Sequence, residues 1–248
     1  MPSKTESGHA INVATFNDLI SFVNGYGSAY NPSNEALALP QLQALAASAG
    51  TLLDAVYTAQ APYNAAVAAR EVAFAPLSKL VTRVMSFLKA SGVTPEVYDS
   101  VLTVARKIKG ARASAKPKTV PANGGEEPAV EVRTVSSSQM SYDSREENFG
   151  RFIQLLAAIP QYAPNEEELQ VATLTAQGED LKAKNAAVIN ASVPLSNARI
   201  ARDEVLYTPV SGLCDIALTV KSYVMAVFGA SSPQYKQIGK LRFTKQKI

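Results

Sequence analysis

The residue types that could do chemistry in this chain are few, and their spacing suits contact better than catalysis. The 248-residue sequence holds one cysteine, Cys214, and one histidine, His9. No intramolecular disulfide and no Cys/His zinc site can be assembled from them. A Ser-His-Asp triad or Cys-His dyad has no second histidine to draw on, and His9 falls in a polar N-terminal stretch, where it is expected to be an exposed tail residue. Cys214, beside Leu213 and at helical spacing from Ala217, reads as a small buried hydrophobe. There is no G-x-x-x-x-G-K-S/T loop and no strand-turn-helix G-x-G-x-x-G, so nucleotide chemistry has no foothold, and Gly25-Tyr26-Gly27 is a helix stop.

Carboxylates cluster at Glu126-Glu127, Glu146-Glu147 and Glu166-Glu167-Glu168 without EF-hand spacing. The last cluster opens a helix, where negative charge meets the positive end of the helix dipole. A charged pair recurs within alanine-rich helical sequence as Arg70-Glu71 and Arg202-Asp203. Two symmetric anion or ligand pockets would use such pairs, but an ion pair or hydrogen bond between neighbouring helices explains them more simply. No catalytic, cofactor-binding or metal-binding residue is expected, and the chain reads as a non-enzyme with no small-molecule substrate.

The basic residues are segregated. Arg106, Lys107, Lys109, Arg112, Lys116 and Lys118 follow one another with no acid between them, as do Lys236, Lys240, Arg242, Lys245 and Lys247. The net charge is only +3, so the rest of the chain is acidic. With Tyr98, Tyr235 and Phe243 alongside, Arg106, Lys107, Lys109, Arg112, Lys236, Lys240, Arg242, Lys245 and Lys247 form a candidate contact for nucleic acid or another polyanion. Basic helix ends and solvated tails account for the same pattern without a partner.

These residues are carried by helices. The composition is 47% hydrophobic, with abundant alanine and no tryptophan, which suits closely packed helices. Residues 1–14 read as a polar arm. From Phe16, Leu19, Ile20 and Val23 onward, apolar residues fall at i, i+3, i+4 and i+7. Ser33 or Asn34 is the expected cap of the next helix, and Pro62 is expected to kink that helix or begin a new one. Thr94-Pro95-Glu96 opens a short helix that runs into the first basic end. Residues 111–142 are rich in proline, glycine and serine and read as a flexible linker, with Val130, Val132 and Val135 as a minority candidate for a short extended segment.

The landmarks then recur in order. Phe149, Phe152, Ile153 and Leu156 repeat the opening stripe, Y-A-P-N-E-E-E-L from Tyr162 answers Y-N-P-S-N-E-A-L from Tyr30, Pro194 answers Pro62, and Ser232-Pro233 answers Thr94-Pro95. The expected fold is all-α: two tandem antiparallel helical-bundle repeats of three to four helices, at 15–110 and 143–248, the second ending in a basic tail. Passages such as N-A-R-x-x-R-D-E-V-L-Y and F-G-A-S-S-P-Q-Y-K-Q-I resemble bacterial helical proteins of unassigned activity.

The absence of a long apolar run and of a signal-like N-terminus points to a cytoplasmic protein without membrane insertion. The Asn190-Ala191-Ser192 sequon carries no weight there. The expected function is a non-catalytic scaffold or protein-interaction protein that self-associates or binds a protein partner. The alternative is sequence-nonspecific nucleic-acid or polyanion binding.

Overall fold

Helical periodicity carries through into the structure. The computed structural model describes residues 4–110 and 140–245, and all regular elements among them are helical. They are α1 (Lys4–Gly25), α2 (Leu39–Phe74), α3 (Leu77–Ala90), α4 (Pro95–Lys109), α5 (Tyr142–Ala157), α6 (Val171–Tyr207), α7 (Leu213–Phe228) and α8 (Pro233–Gly239). Residues 111–139 of the predicted linker, with its valine segment, lie outside the described residues, while its last two residues belong to α5, Ser141 as the cap and Tyr142 in the first turn.

Local signals set most boundaries. Ser141 and Ser232 cap α5 and α8 by accepting the backbone N–H of Ser144 and Tyr235, each at 3.1 Å. Gly110 ends α4 in the left-handed region, with φ at 71°, a conformation that costs glycine little. Asn34 does cap, accepting from the Ala36 N–H, but the element it opens is a 3-10 turn over Glu35–Leu37.

One expectation fails and another narrows. The polar arm is helix from Lys4, because His9, Asn12 and Val13 are buried and hold that turn in the core. Of the two outcomes expected at Pro62, a new helix does not begin: α2 passes through Pro62, as α6 does through Pro194. Each proline removes one backbone bond, leaving the carbonyl of Thr58 or Asn190 without its i+4 donor. The anchors on either side outweigh that loss, since α2 is buried at Leu53 and Val56 before its proline and at Phe74 after it.

That continuity decides the architecture. The chain forms two compact units, and neither is a sequence half: the first combines Met1–Asn64 with Asn190–Ile248, and the second is Ala65–Ile189. Repeats at 15–110 and 143–248 that each enclosed a core of its own would need each long helix to reverse near its proline; repeats that share their cores would not. In the first unit, Phe16, Leu19 and Val23 of α1 and Leu42 and Leu53 of α2 share a core with Leu206 of α6, Val220 and Val224 of α7 and Ile238 of α8. In the second, Phe74 at the end of α2, Val84 and Leu88 of α3 and Ile108 of α4 share one with Phe149 and Phe152 of α5 and Leu174 and Leu181 of α6.

The answering motifs make the same bonds. The Tyr30 hydroxyl donates to the Leu37 carbonyl at 2.8 Å and the Tyr162 hydroxyl to the Leu169 carbonyl at 2.6 Å, both buried. Tyr30 meets Tyr223 edge to face at 5.2 Å, and Tyr162 meets Phe87 the same way at 5.4 Å. Burial pushes both Tyr30 and Tyr162 up to about 12, with Tyr223 adding to the effect at Tyr30.

Candidate functional site

The basic residues are divided between the two units. Arg106, Lys107 and Lys109 form the last turn of α4 in the second unit, with the Lys109 ammonium donating to the Thr82 hydroxyl at 2.9 Å. Lys236 lies in the last turn of α8, Lys240 caps that helix, and Arg242 and Lys245 lie along the irregular segment after it, in the first unit. Arg112 and Lys247 fall outside the described residues. The aromatic neighbours are packing residues: Tyr98 rests on the second core, and Tyr235 and Phe243 rest on the first.

The expected basic tail is a strap through Lys245. Leu241 and Phe243 pack against the first core, while Arg242 between them and Thr244 after them are exposed. Asn12, only 1% exposed, grips the strap's backbone. Its side-chain amide donates to the Thr244 carbonyl at 2.8 Å, and its oxygen accepts the Thr244 N–H at 3.0 Å. On α7 the Lys221 ammonium donates to the Leu241 carbonyl and lies 5.4 Å from the Phe243 ring centre. Burial, and then Arg242, hold the Lys221 ammonium below the usual lysine range. Lys245 ends the strap in an ion pair with Asp215.

Asp215 also accepts the Val210 N–H at 3.0 Å. Val210 has φ at 72°, a left-handed conformation that is strained for a β-branched residue. The Lys245 contact and the Val210 N–H together hold the Asp215 carboxyl below the usual carboxylate range. The adjoining Cys214 thiol is pushed up to about 11, first by burial and then by Asp215, so it stays a neutral thiol at physiological pH.

A polar network lies beneath the strap. His9 is fully buried, correcting its reading as an exposed tail residue. Its Nδ1 lies 2.7 Å from the Tyr207 hydroxyl oxygen, which also accepts from the Asn12 amide at 3.2 Å. Burial, ahead of its charged neighbours, raises the Tyr207 phenol. Beside them Arg202 binds its own neighbour, with Nε 2.9 Å from Asp203 Oδ1, and Asp203 lies 3.8 Å from His9. The Arg202-Asp203 pair therefore bonds within itself.

No protein-family model, curated protein or solved structure matches this chain.

At the corresponding position of the second unit, the Arg70 guanidinium lies 4.1 Å from the centre of the Tyr142 ring, a cation–π contact. Arg145 on α5 points its guanidinium at the carbonyls of Ile108 and Phe74, at 3.3 and 3.4 Å. The acidic runs serve as local partners: Glu147 pairs with Arg151 at 2.6 Å, and Glu168 with Arg83 at 2.5 Å. That second pair borders an open groove of about 480 Å³ floored by Leu77, Leu80 and Leu181. Among the described residues no three His, Cys, Asp or Glu side chains come together as a metal set, and no helix is long and apolar enough to cross a membrane.

Sequence reasoning missed Asn12, Tyr207, Asp215, Lys221 and Thr244 because their partners lie far along the chain. One signal was present: L-R-F-T after Gly239 alternates apolar and polar, the two-residue period of an extended segment.

Proposed function

We propose that the chain is a non-catalytic interaction protein, built from a duplicated helical sequence, that associates with other copies of itself through exposed faces of its long helices. One observation supports this reading: α2 has no buried residue between Val56 and Phe74, yet residues 57–69 contain no charge. A solvated helix face normally carries charged side chains, and here it carries alanines together with Tyr57. Helix α6 is similar, with Val193 and Ile200 exposed at 52% and 62% one heptad apart on one face. An uncharged, small-residue surface suits close helix packing against a like surface.

Light scattering over a concentration series tests this. Wild type is expected to gain mass with concentration, while Val193→Lys/Ile200→Lys stays monomeric. A wild-type mass that is monomeric and constant throughout removes self-association.

Exposed Lys236, Lys240 and Arg242 support the second reading, polyanion binding through the basic ends. Affinity for a generic duplex should then fall steeply with salt, with a shallower slope after alanine replacement of these three. Absence of binding at low salt disposes of it.

A further inference from the structure

We infer that α1 and α7 of the first unit form a peptide-binding groove whose resident ligand is the chain's own Leu241–Lys245 strap, and whose partner in trans is the same strap of a second copy. The bonds that hold the strap are those that recognise an extended peptide. Asn12 both donates to and accepts from the backbone of one residue, Thr244, so it reads main chain and leaves the Thr244 side chain outside. Lys221 takes the Leu241 carbonyl three residues earlier. Leu241 and Phe243 rest on the core at alternate positions while Arg242 points to solvent, the i, i+2 pattern by which an extended segment presents one face. Asp215 fixes the end of the segment through Lys245. The groove thus accepts apolar-x-apolar-x-basic sequence in one register.

The groove wall also has bonds of its own behind the strap. Asn12 is held from behind by the Tyr207 hydroxyl, itself held by His9. The strap forms no helix or strand, and its own backbone reaches back only to Ile238, which accepts the Leu241 N–H at 3.1 Å. Segments held by few contacts open locally at much less cost than the whole fold. A strap released in this way can enter the groove of another copy, an exchange that leaves every bond type unchanged. This exchange does not involve the α2 and α6 faces, so it stands or falls separately from association through them.

The test uses the full-length chain carrying Leu241→Asp/Phe243→Asp, which empties the groove, and a fluorescent peptide of wild-type residues 240–248. Saturable binding is expected, at least about tenfold tighter than to the wild-type chain, whose own strap competes. Adding Asn12→Ala should weaken it by about tenfold, the effect of losing the two backbone bonds. A peptide bearing the same two aspartates should not bind. A variant with wild-type circular dichroism and a cooperative melt that ignores the wild-type peptide overturns the proposal.

Should that variant fail to fold, hydrogen exchange on the wild-type chain decides. The Thr244 amide is expected to exchange at least about 100-fold faster than the core amides of α7, through local opening. Exchange at the same rate as α7 means that the strap leaves only on global unfolding, and overturns the proposal.

Discussion

Helices α4 and α8, which answer each other in the sequence, help close the cores of their two units in different ways. In the second unit α4 runs from Pro95 to Lys109 and buries Val101, Ala105 and Ile108. In the first, α8 stops at Gly239 with Ile238 its only buried residue, and the chain continues as the extended strap. Both begin at a hydroxyl residue followed by proline, Thr94-Pro95 and Ser232-Pro233. They diverge where the pattern changes: apolar residues after Val101 keep a helical spacing to Ile108, whereas glycine follows Ile238 and Leu241 and Phe243 then alternate. In both units one polar side chain from α1 or α5 reaches the closing backbone. Asn12 matches a strap carbonyl and N–H, and Arg145 meets the Ile108 carbonyl near the end of a helix, where only acceptors are left over. One framework thus accepts either cover if the contacting side chain suits the backbone it meets.

The strongest way to break this picture is to cut the chain between residues 111 and 139. Each compact unit draws on both sides of that cut, so 1–125 and 126–248 expressed alone should lack a cooperative melt, and mixing them should restore one by circular dichroism. Two halves that each fold alone would return the molecule to independent tandem bundles.

A finer comparison uses the paired tyrosines. Tyr30→Phe and Tyr162→Phe should each cost about 1 kcal/mol by urea unfolding, and a large inequality would show that the two units are less alike than their bonds. Both phenols ionise at higher pH when folded, so the stability they lend is intact below about pH 10. It falls as the unfolded chain ionises first, between about pH 10 and the folded value of about 12. Wild type should therefore lose stability over that window, and the double Phe variant should lose less.

The smallest expected effect is at the strap's end. Lys245→Ala should cost under about 1 kcal/mol, as exposed ion pairs do. Because the Asp215 carboxyl is held below its usual range, its stabilisation is present above the ordinary carboxylate pKa and fades as pH falls through the lowered one. The wild-type and variant melting temperatures should accordingly converge in acid.

Helix content and the recurring landmarks were legible in the sequence because they are local: stripes at helical spacing, serine caps and glycine stops act within a turn or two. What each helix packs against was not. Pro62 and Pro194 signal a break by their own chemistry, and only burial on either side, at Val56 and Phe74 for α2, overrides them. The basic residues were correctly seen as segregated, but their charge gave no hint that Lys245 is paired with Asp215 and that Lys221 braces the strap. His9 was misplaced for the same reason: its neighbours in sequence are polar, while its neighbours in space, Tyr207 and Asp203, come from the end of α6.

The unbroken passage of α2 through Pro62 also sets an order of events at the ribosome. Helix α1 emerges well before its core partners Leu206, Val220 and Ile238. At about 5–20 residues per second, its apolar face waits roughly 10 to 40 s for them. The second unit, drawn from Ala65–Ile189, is complete earlier and closes on itself while the first still lacks half its residues. The order of synthesis thus favours assembly from the middle outward, with α1 among the later segments to find its partners.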